Sequence, residues 1–335
     1  MTEARFYDSL AGGRVECRLC PHHCRIAPDQ TGRCGVRRNQ AGKLYSLVYG
    51  RPVAERADPI EKKPLFHFLP GSTSFSVATA GCNLTCRFCQ NSDISQVNGR
   101  IIYERELAPA EIVERARAAG CRSVSYTYTE PTVFFEYVFD TARLAAGAGL
   151  RNVLVTNGYL EADPLRELAP YLDAANVDLK SFRDEYYRNF CGGRLRPVLE
   201  TLELMRRLGI WVEVTTLLVP GENDGAGELR EAADFLSGRL GPDTPWHLSR
   251  FFPHYRFMNA PPTPPETLAA AREIGRAAGL HYVYTGNLPG DPGENTACPQ
   301  CGRQVIGRTG FLVTGYALTA GRCAACGRSI AGVFD

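Results

Sequence analysis

Between Ser74 and Thr285 the chain repeats one pattern, a short run of β-branched and aromatic residues followed by a longer Ala-, Leu-, Glu- and Arg-rich segment of helical period. The runs predict strands at Phe75–Ala80, Ser123–Tyr128, Asn152–Thr156, Ala175–Leu179, Trp211–Leu218, Trp246–Phe251 and His281–Tyr284. The segments between them predict helices near Ala110–Ala119, Thr132–Ala146, Pro164–Leu172, Arg196–Leu208, Gly227–Arg239 and Pro265–Ala278. Strand, helix, strand repeated in this way calls for right-handed crossovers and a parallel sheet. The expected fold is α/β, a partial TIM-like (β/α)6 barrel that stays open, with a flat doubly wound sheet as the alternative. Ligands of such folds lie at the carboxyl ends of the strands, so the residues just after each strand are the site candidates.

Outside the repeats the texture changes. Residues 1–72 read as a small Cys-rich module carrying a β-hairpin, formed by Leu44–Tyr49 and Pro52–Arg56 around Gly50-Arg51. The barrel is expected over 73–290. A Pro- and Gly-rich linker, Leu288 to Glu294, then leads into a zinc-ribbon-like or rubredoxin-like module over 291–335. The segment Asp58-Pro59-Ile60-Glu61-Lys62-Lys63-Pro64 interrupts regular structure and leads toward the first barrel strand, and its charges read as a solvated face or as packing beside the site.

Charge and composition narrow the classes. A chain of 335 residues with net charge +2 has no field for a nucleic-acid groove or a polybasic membrane patch. No apolar run is long enough to cross a bilayer, and Met1–Gly13 lacks the apolar stretch of a signal peptide, so a cytoplasmic protein is expected. Thirteen cysteines in that reducing compartment point to metal rather than disulfides, and all but Cys121 and Cys191 fall in close-spaced groups.

Three groups carry that chemistry. Cys82, Cys86 and Cys89 follow a predicted strand and the turn residue Gly81. Three thiolates on a four-iron cluster leave one iron without a protein ligand, and an open coordination position is where a metal site does chemistry. Cys298-Pro299-Gln300-Cys301-Gly302 and Cys323-Ala324-Ala325-Cys326-Gly327 are two knuckles around a hairpin-like segment, Val305 to Leu318, which suits zinc or iron in a tetrahedron. Cys17, Cys20, Cys24 and Cys34 read as a closed zinc site or a second cluster. Their spacing is not that of a bacterial ferredoxin run, which favours zinc.

The loop Cys82-Asn83-Leu84-Thr85-Cys86-Arg87-Phe88-Cys89 resembles the signature of the radical S-adenosylmethionine (SAM) superfamily. The segments 58–64, Tyr126-Thr127-Tyr128-Thr129-Glu130-Pro131-Thr132, Val177-Asp178-Leu179-Lys180, Trp246-His247-Leu248-Ser249-Arg250-Phe251 and Tyr284-Thr285-Gly286-Asn287-Leu288-Pro289-Gly290 extend it. They resemble activating enzymes of pyruvate formate-lyase, and more specifically the radical SAM enzyme of the AmmeMemoRadiSam system. The resemblance implies a [4Fe-4S] cluster on Cys82, Cys86 and Cys89 whose free iron holds SAM, with reductive cleavage to a 5′-deoxyadenosyl radical that abstracts a hydrogen atom. It places Phe88 near the adenine and Thr129, Glu130, Thr156, Asn157, Asp178 and Lys180 around SAM.

Activating enzymes carry Gly-Gly-Glu-Pro where this chain has Tyr128-Thr129-Glu130-Pro131, a departure that counts against a generic activase. Val155 stands where those enzymes offer a carboxylate. His247 and Ser249 share one face of their strand, as substrate or SAM contacts, with a hydrogen-bonded core role as the alternative for His247. Cys191 follows the fourth strand as a candidate hydrogen-atom donor or as an ordinary buried thiol. The resemblance also implies a flavodoxin- or ferredoxin-like electron donor and Memo-like partner proteins. Two other functions fit the sequence: a glycyl-radical-enzyme activase, and a metal-stapled electron-transfer or interaction protein without turnover.

Overall fold

The computed structural model describes residues 1–97 and 105–335. Eight strands make the central sheet: β1 (Pro52–Pro59), β2 (Thr73–Thr79), β3 (Ser123–Tyr126), β4 (Arg151–Thr156), β5 (Ala174–Asp178), β6 (Trp211–Leu218), β7 (Trp246–Arg250) and β8 (Val283–Gly286). They lie in the order β8-β7-β6-β5-β4-β3-β2-β1, parallel throughout except that β1 runs antiparallel to β2. The sheet is open, with β1 and β8 as its edges. The α/β class, the seven parallel strands and the six crossovers expected from sequence are present.

The crossovers are α1 (Pro109–Ala118), α2 (Phe135–Gly147), α3 (Ala162–Leu168), α4 (Leu195–Arg207), α5 (Ala226–Phe235) and α6 (Pro265–Ala277). Their sequences carry one apolar stripe each. In α4 the buried residues are Leu195, Val198, Thr201, Leu202, Leu204 and Met205, a spacing that keeps one face on the sheet. The strands are covered on both faces, so β3 is buried at all four positions.

The expected hairpin of Leu44–Tyr49 with Pro52–Arg56 does not form. Lys43–Ser46 pairs instead with Arg37–Gln40, closed by Ala41 and Gly42 at φ 51° and 83°. Two successive positive φ angles make the tight turn whose twist suits a hairpin. Pro52–Pro59 pairs with Thr73–Thr79 and extends the central sheet. Alternation marks a strand but does not name its partner.

The chain between β1 and β2 crosses the inner face of the sheet. Asn176 Nδ2 donates to the Pro64 carbonyl at 2.7 Å, and the Phe66 and His67 backbone amides donate to the Glu213 carboxylate at 2.9 and 2.8 Å. This plug fills the deep part of the face and leaves the carboxyl ends of the strands open. On its far side lies a second buried cluster, where Phe66, Tyr282 and Tyr284 meet Cys298, Val305, Ile306, Cys323 and Ile330. Arg308 ties the two parts by donating to the Phe66 carbonyl at 2.6 Å. The C-terminal strands Gln304–Thr309 and Leu312–Tyr316 pair antiparallel, as the hairpin-like pattern there predicts.

At the other end, buried Arg37 makes a two-pronged ion pair with Glu136 of α2, at 3.0 and 2.9 Å. Among the described residues no helix is long and apolar enough to cross a membrane.

Candidate functional site

Strand β2 delivers the three-cysteine loop. Gly81 turns the chain at φ 100°, and a Cβ there would stand 2.7 Å from Val36 Cγ1 and 2.9 Å from the Cys34 carbonyl oxygen, so only glycine fits. The loop is braced from behind by its backbone: Thr85 N–H donates to the Cys191 carbonyl at 2.7 Å and Arg87 N–H to the Phe190 carbonyl at 2.9 Å. Cys82, Cys86 and Cys89 then line one cavity with the ends of β3, β4, β5, β6 and β7. Counting its open mouth, that cavity encloses about 1130 Å³, ample for a nucleoside-sized ligand and an inorganic cluster together.

Hydrogen-bond donors surround the sulfurs. The Leu84 amide donates to Cys82 Sγ at 3.4 Å and Asn157 Nδ2 to the same atom at 3.7 Å, while Cys89 Sγ and Ser95 Oγ are 3.3 Å apart. Thiolates holding an iron–sulfur cluster take such bonds, so the donor set fits that group. Burial pushes the Cys82 thiol well up, and nearby Glu130 pushes it further, so a cationic centre is needed to make it a good ligand. The Cys86 thiol is drawn down by a hydrogen bond from Cys191.

The strand ends supply most of the residues expected around SAM. Phe88 lines the cavity from the loop itself, and Thr129, Glu130, Thr156, Asn157, Asp178, Lys180 and Ser249 line it from the strand ends. Glu130 is a clamp: wholly buried, it accepts from Thr132 N and Oγ1 at 3.0 and 2.6 Å, Thr156 Oγ1 at 2.7 Å and Asn157 N at 2.8 Å. It thereby fixes the third and fourth strand ends to one another. Thr129 Oγ1 donates to the Thr79 carbonyl at 2.7 Å, so its hydroxyl serves the sheet and only its remaining atoms face the cavity. Lys180 donates to Asp178 at 2.9 Å. Burial works against its charge, but Asp178 and the Cys86 sulfur hold its pKa well above the ordinary lysine value.

Two expected site residues lie elsewhere. His247 faces inward, as its strand parity predicts, but it sits beneath the plug, hydrogen-bonded to Glu213 at 2.7 Å and edge-on to Phe66. It is a core histidine and does not line the cavity. Cys191 is wholly buried behind the loop against Cys86, off the cavity surface. Sequence reasoning also missed several contributors. Asn91 donates to the Tyr128 carbonyl at 2.9 Å, Asn287 donates to Ser249 Oγ at 2.9 Å, and Thr215 and Lys62 join the lining. Asn287 lies in a strand-end motif and was findable; Asn91 carried no such signal.

The other two cysteine groups differ in spacing. Cys298 Sγ lies 3.6 Å from Cys326 Sγ and Cys301 Sγ lies 3.8 Å from Cys323 Sγ, and all four sulfurs fall within 4.8 Å of one another. Backbone amides of Ala325 and Cys326 hold the Cys323 thiol down to about 7, in the thiolate range a metal needs. Cys17, Cys20, Cys24 and Cys34 line a separate pocket, of about 330 Å³ counting its open mouth.

With this geometry in place, the comparisons with known proteins decide the family. The family model of the radical SAM superfamily matches residues 76–236, the span from β2 through the fifth crossover helix. The chain belongs to the radical SAM superfamily. Among its relatives, an uncharacterized protein of Methanocaldococcus jannaschii is 46% identical over 332 residues, covering 98% of this chain and 99% of its own. The pyruvate formate-lyase 1-activating enzyme of Escherichia coli strain K12 is 25% identical over 46% of this chain and 65% of its own length. A radical SAM methyltransferase from Sphaerobacter thermophilus shares the radical SAM fold, with a TM-score of 0.50, 21% identity and coverage of 68% of this chain and 71% of that one.

Proposed function

We propose that this chain is a radical SAM enzyme of the AmmeMemoRadiSam type, which cleaves SAM reductively for hydrogen-atom abstraction. The observation that carries the reading is the convergence of the Cys82, Cys86 and Cys89 thiols on one cavity ringed by strand-end polar residues. A [4Fe-4S] cluster held there would supply the electron and, through its free iron, the anchorage for the amino and carboxylate groups of SAM.

The chain's own residues do the rest. Lys180, paired with Asp178 beside Cys86, offsets negative charge at the cluster and at a bound carboxylate. Glu130 and Asn157 hold the adjoining loops rigid, and Phe88 offers an apolar wall for a purine. The Pro64–Phe68 plug closes the deep side of the face against water.

Zinc at Cys298, Cys301, Cys323 and Cys326 is the reading supported by their sulfur spacing. A cytoplasmic location is supported by thirteen cysteines that are all free thiols. A flavodoxin- or ferredoxin-like donor and a Memo-like partner belong to the same proposal.

A second reading, a glycyl-radical-enzyme activase, draws on the likeness to the Escherichia coli activating enzyme. Against it stand Tyr128 and Thr129 in place of the glycine pair. The experiment is anaerobic incubation of reduced protein with SAM, followed by mass spectrometry. The proposal expects 5′-deoxyadenosine from the wild type and none from C86A. No product from a cluster-loaded wild type overturns it, and a glycyl-radical doublet on an added partner would favour the activase.

A further inference from the structure

The N-terminal cysteines are where the structure departs furthest from the expectation of zinc. A tetrahedral zinc ion with bonds of about 2.3 Å to each thiolate sets its four sulfurs about 3.8 Å apart. The C-terminal group meets that requirement, at 3.6 and 3.8 Å. Among the described residues it is the one group whose donor atoms all lie within 4.8 Å of one another. Neither Cys82, Cys86 and Cys89 nor Cys17, Cys20, Cys24 and Cys34 contract to that spacing. The N-terminal four nevertheless line a single pocket, of about 330 Å³ counting its open mouth.

That cavity is built to receive a group with acceptor atoms of its own. Arg37 lines it and is 2% exposed; two of its nitrogens serve Glu136 and the Arg5 carbonyl, but its buried Nε–H has no partner. A buried donor left unpaired is costly, and the bridging sulfides of a cluster are acceptors that a lone zinc ion lacks. The apolar side chains of Leu19, Ile26 and Val133 complete the wall and keep water from the site.

We propose that Cys17, Cys20, Cys24 and Cys34 hold a second four-iron cluster, fully ligated by protein, with Arg37 Nε donating to it. Its place is beside the first cluster loop. The Cys34 carbonyl packs on Gly81, the residue before Cys82, and a ring nitrogen of His22 bonds the Asn83 carbonyl at 2.7 Å. With four thiolates this cluster has no open iron and does not bind SAM. The inference deepens the proposed function but does not depend on turnover.

The test uses the full chain, purified anaerobically and reconstituted with ferrous iron and sulfide, as wild type and as the C82A/C86A/C89A triple variant. Iron, acid-labile sulfide and zinc are counted, and the reduced proteins are examined by electron paramagnetic resonance with and without SAM. The expected result is about eight irons in the wild type and about four in the triple variant. The variant should keep a reduced-cluster signal that SAM does not alter, with one zinc in each protein. A triple variant without acid-labile sulfide, whatever its zinc content, overturns the proposal. R37K, which keeps the charge but removes Nε–H from its place, should leave the iron count unchanged and shift the reduction potential of the SAM-insensitive signal; an unchanged potential overturns the role of Arg37. If instead the wild type holds both clusters yet yields no 5′-deoxyadenosine, the proposed function fails and this site stands.

Discussion

Lys63 donates to the Tyr128 hydroxyl at 3.3 Å, and its ammonium lies 4.5 Å from the centre of the same ring. Both side chains converge on buried Asp58, which accepts from Lys63 at 2.9 Å, from Ser76 at 2.8 Å and from the Tyr128 hydroxyl. Tyr128 needs this hold because its backbone sits at φ 65°, a left-handed conformation that glycine adopts freely and tyrosine does not. Where the activating enzymes resembled here use glycine, this chain uses a pinned tyrosine, and its segment 58–64 supplies the pin.

Removing the pin should cost far more than removing its exposed neighbour. Lys63→Met leaves Asp58 buried beside a lost partner and should destabilise the protein by about 3 kcal/mol, read from the denaturant midpoint. Lys62→Met, at a partly exposed side chain on the same carboxylate, should cost under about 1 kcal/mol. Equal losses would show that Tyr128 is held some other way.

Glu130 should be intolerant even of its amide. Glu130→Gln can keep an oxygen for Thr132 and Thr156 only by turning its NH2 group on the Asn157 N–H, which loses its acceptor. A stability loss of about 2 kcal/mol and a SAM dissociation constant raised about tenfold are expected, by denaturation and equilibrium binding to the cluster-loaded protein.

Acid should loosen the plug through His67. Burial holds this imidazole down to about 4, against about 6.5 in an unfolded chain. Between those values the unfolded state binds the proton and the folded state does not, so stability falls as pH falls through 6.5 toward 4. By pH 5 the loss amounts to about 2 kcal/mol. Wild type and His67→Gln, compared by urea denaturation at pH 7 and pH 5, should differ by that amount less at the lower pH.

Gly192 should be required for loading the first cluster. It sits at φ 74°, and a Cβ there would meet Thr85 Oγ1 at 2.5 Å, directly behind Cys86. Gly192→Ala should therefore lower the iron that responds to SAM by at least about half while the zinc content stays unchanged. Full loading would show that the loop can yield.

The β-branched and aromatic runs, set between segments of helical period, were enough to place seven strands and six crossovers, because each pattern is a local property of its segment. Cys82, Cys86 and Cys89, and the two C-terminal knuckles, were legible for the same reason: their ligands are close in sequence. Tertiary structure alone decided the partner of Pro52–Pro59, since a strand's own pattern does not record which edge it joins. It also decided that His247 lies under Phe66 while Ser249, on the same face, reaches the cavity: parity gives direction but not depth along a strand. The shared pocket of the N-terminal thiols and the unpaired nitrogen of Arg37 that lines it belong to the same class. Both depend on how separate segments close around a space, which no short stretch of sequence specifies.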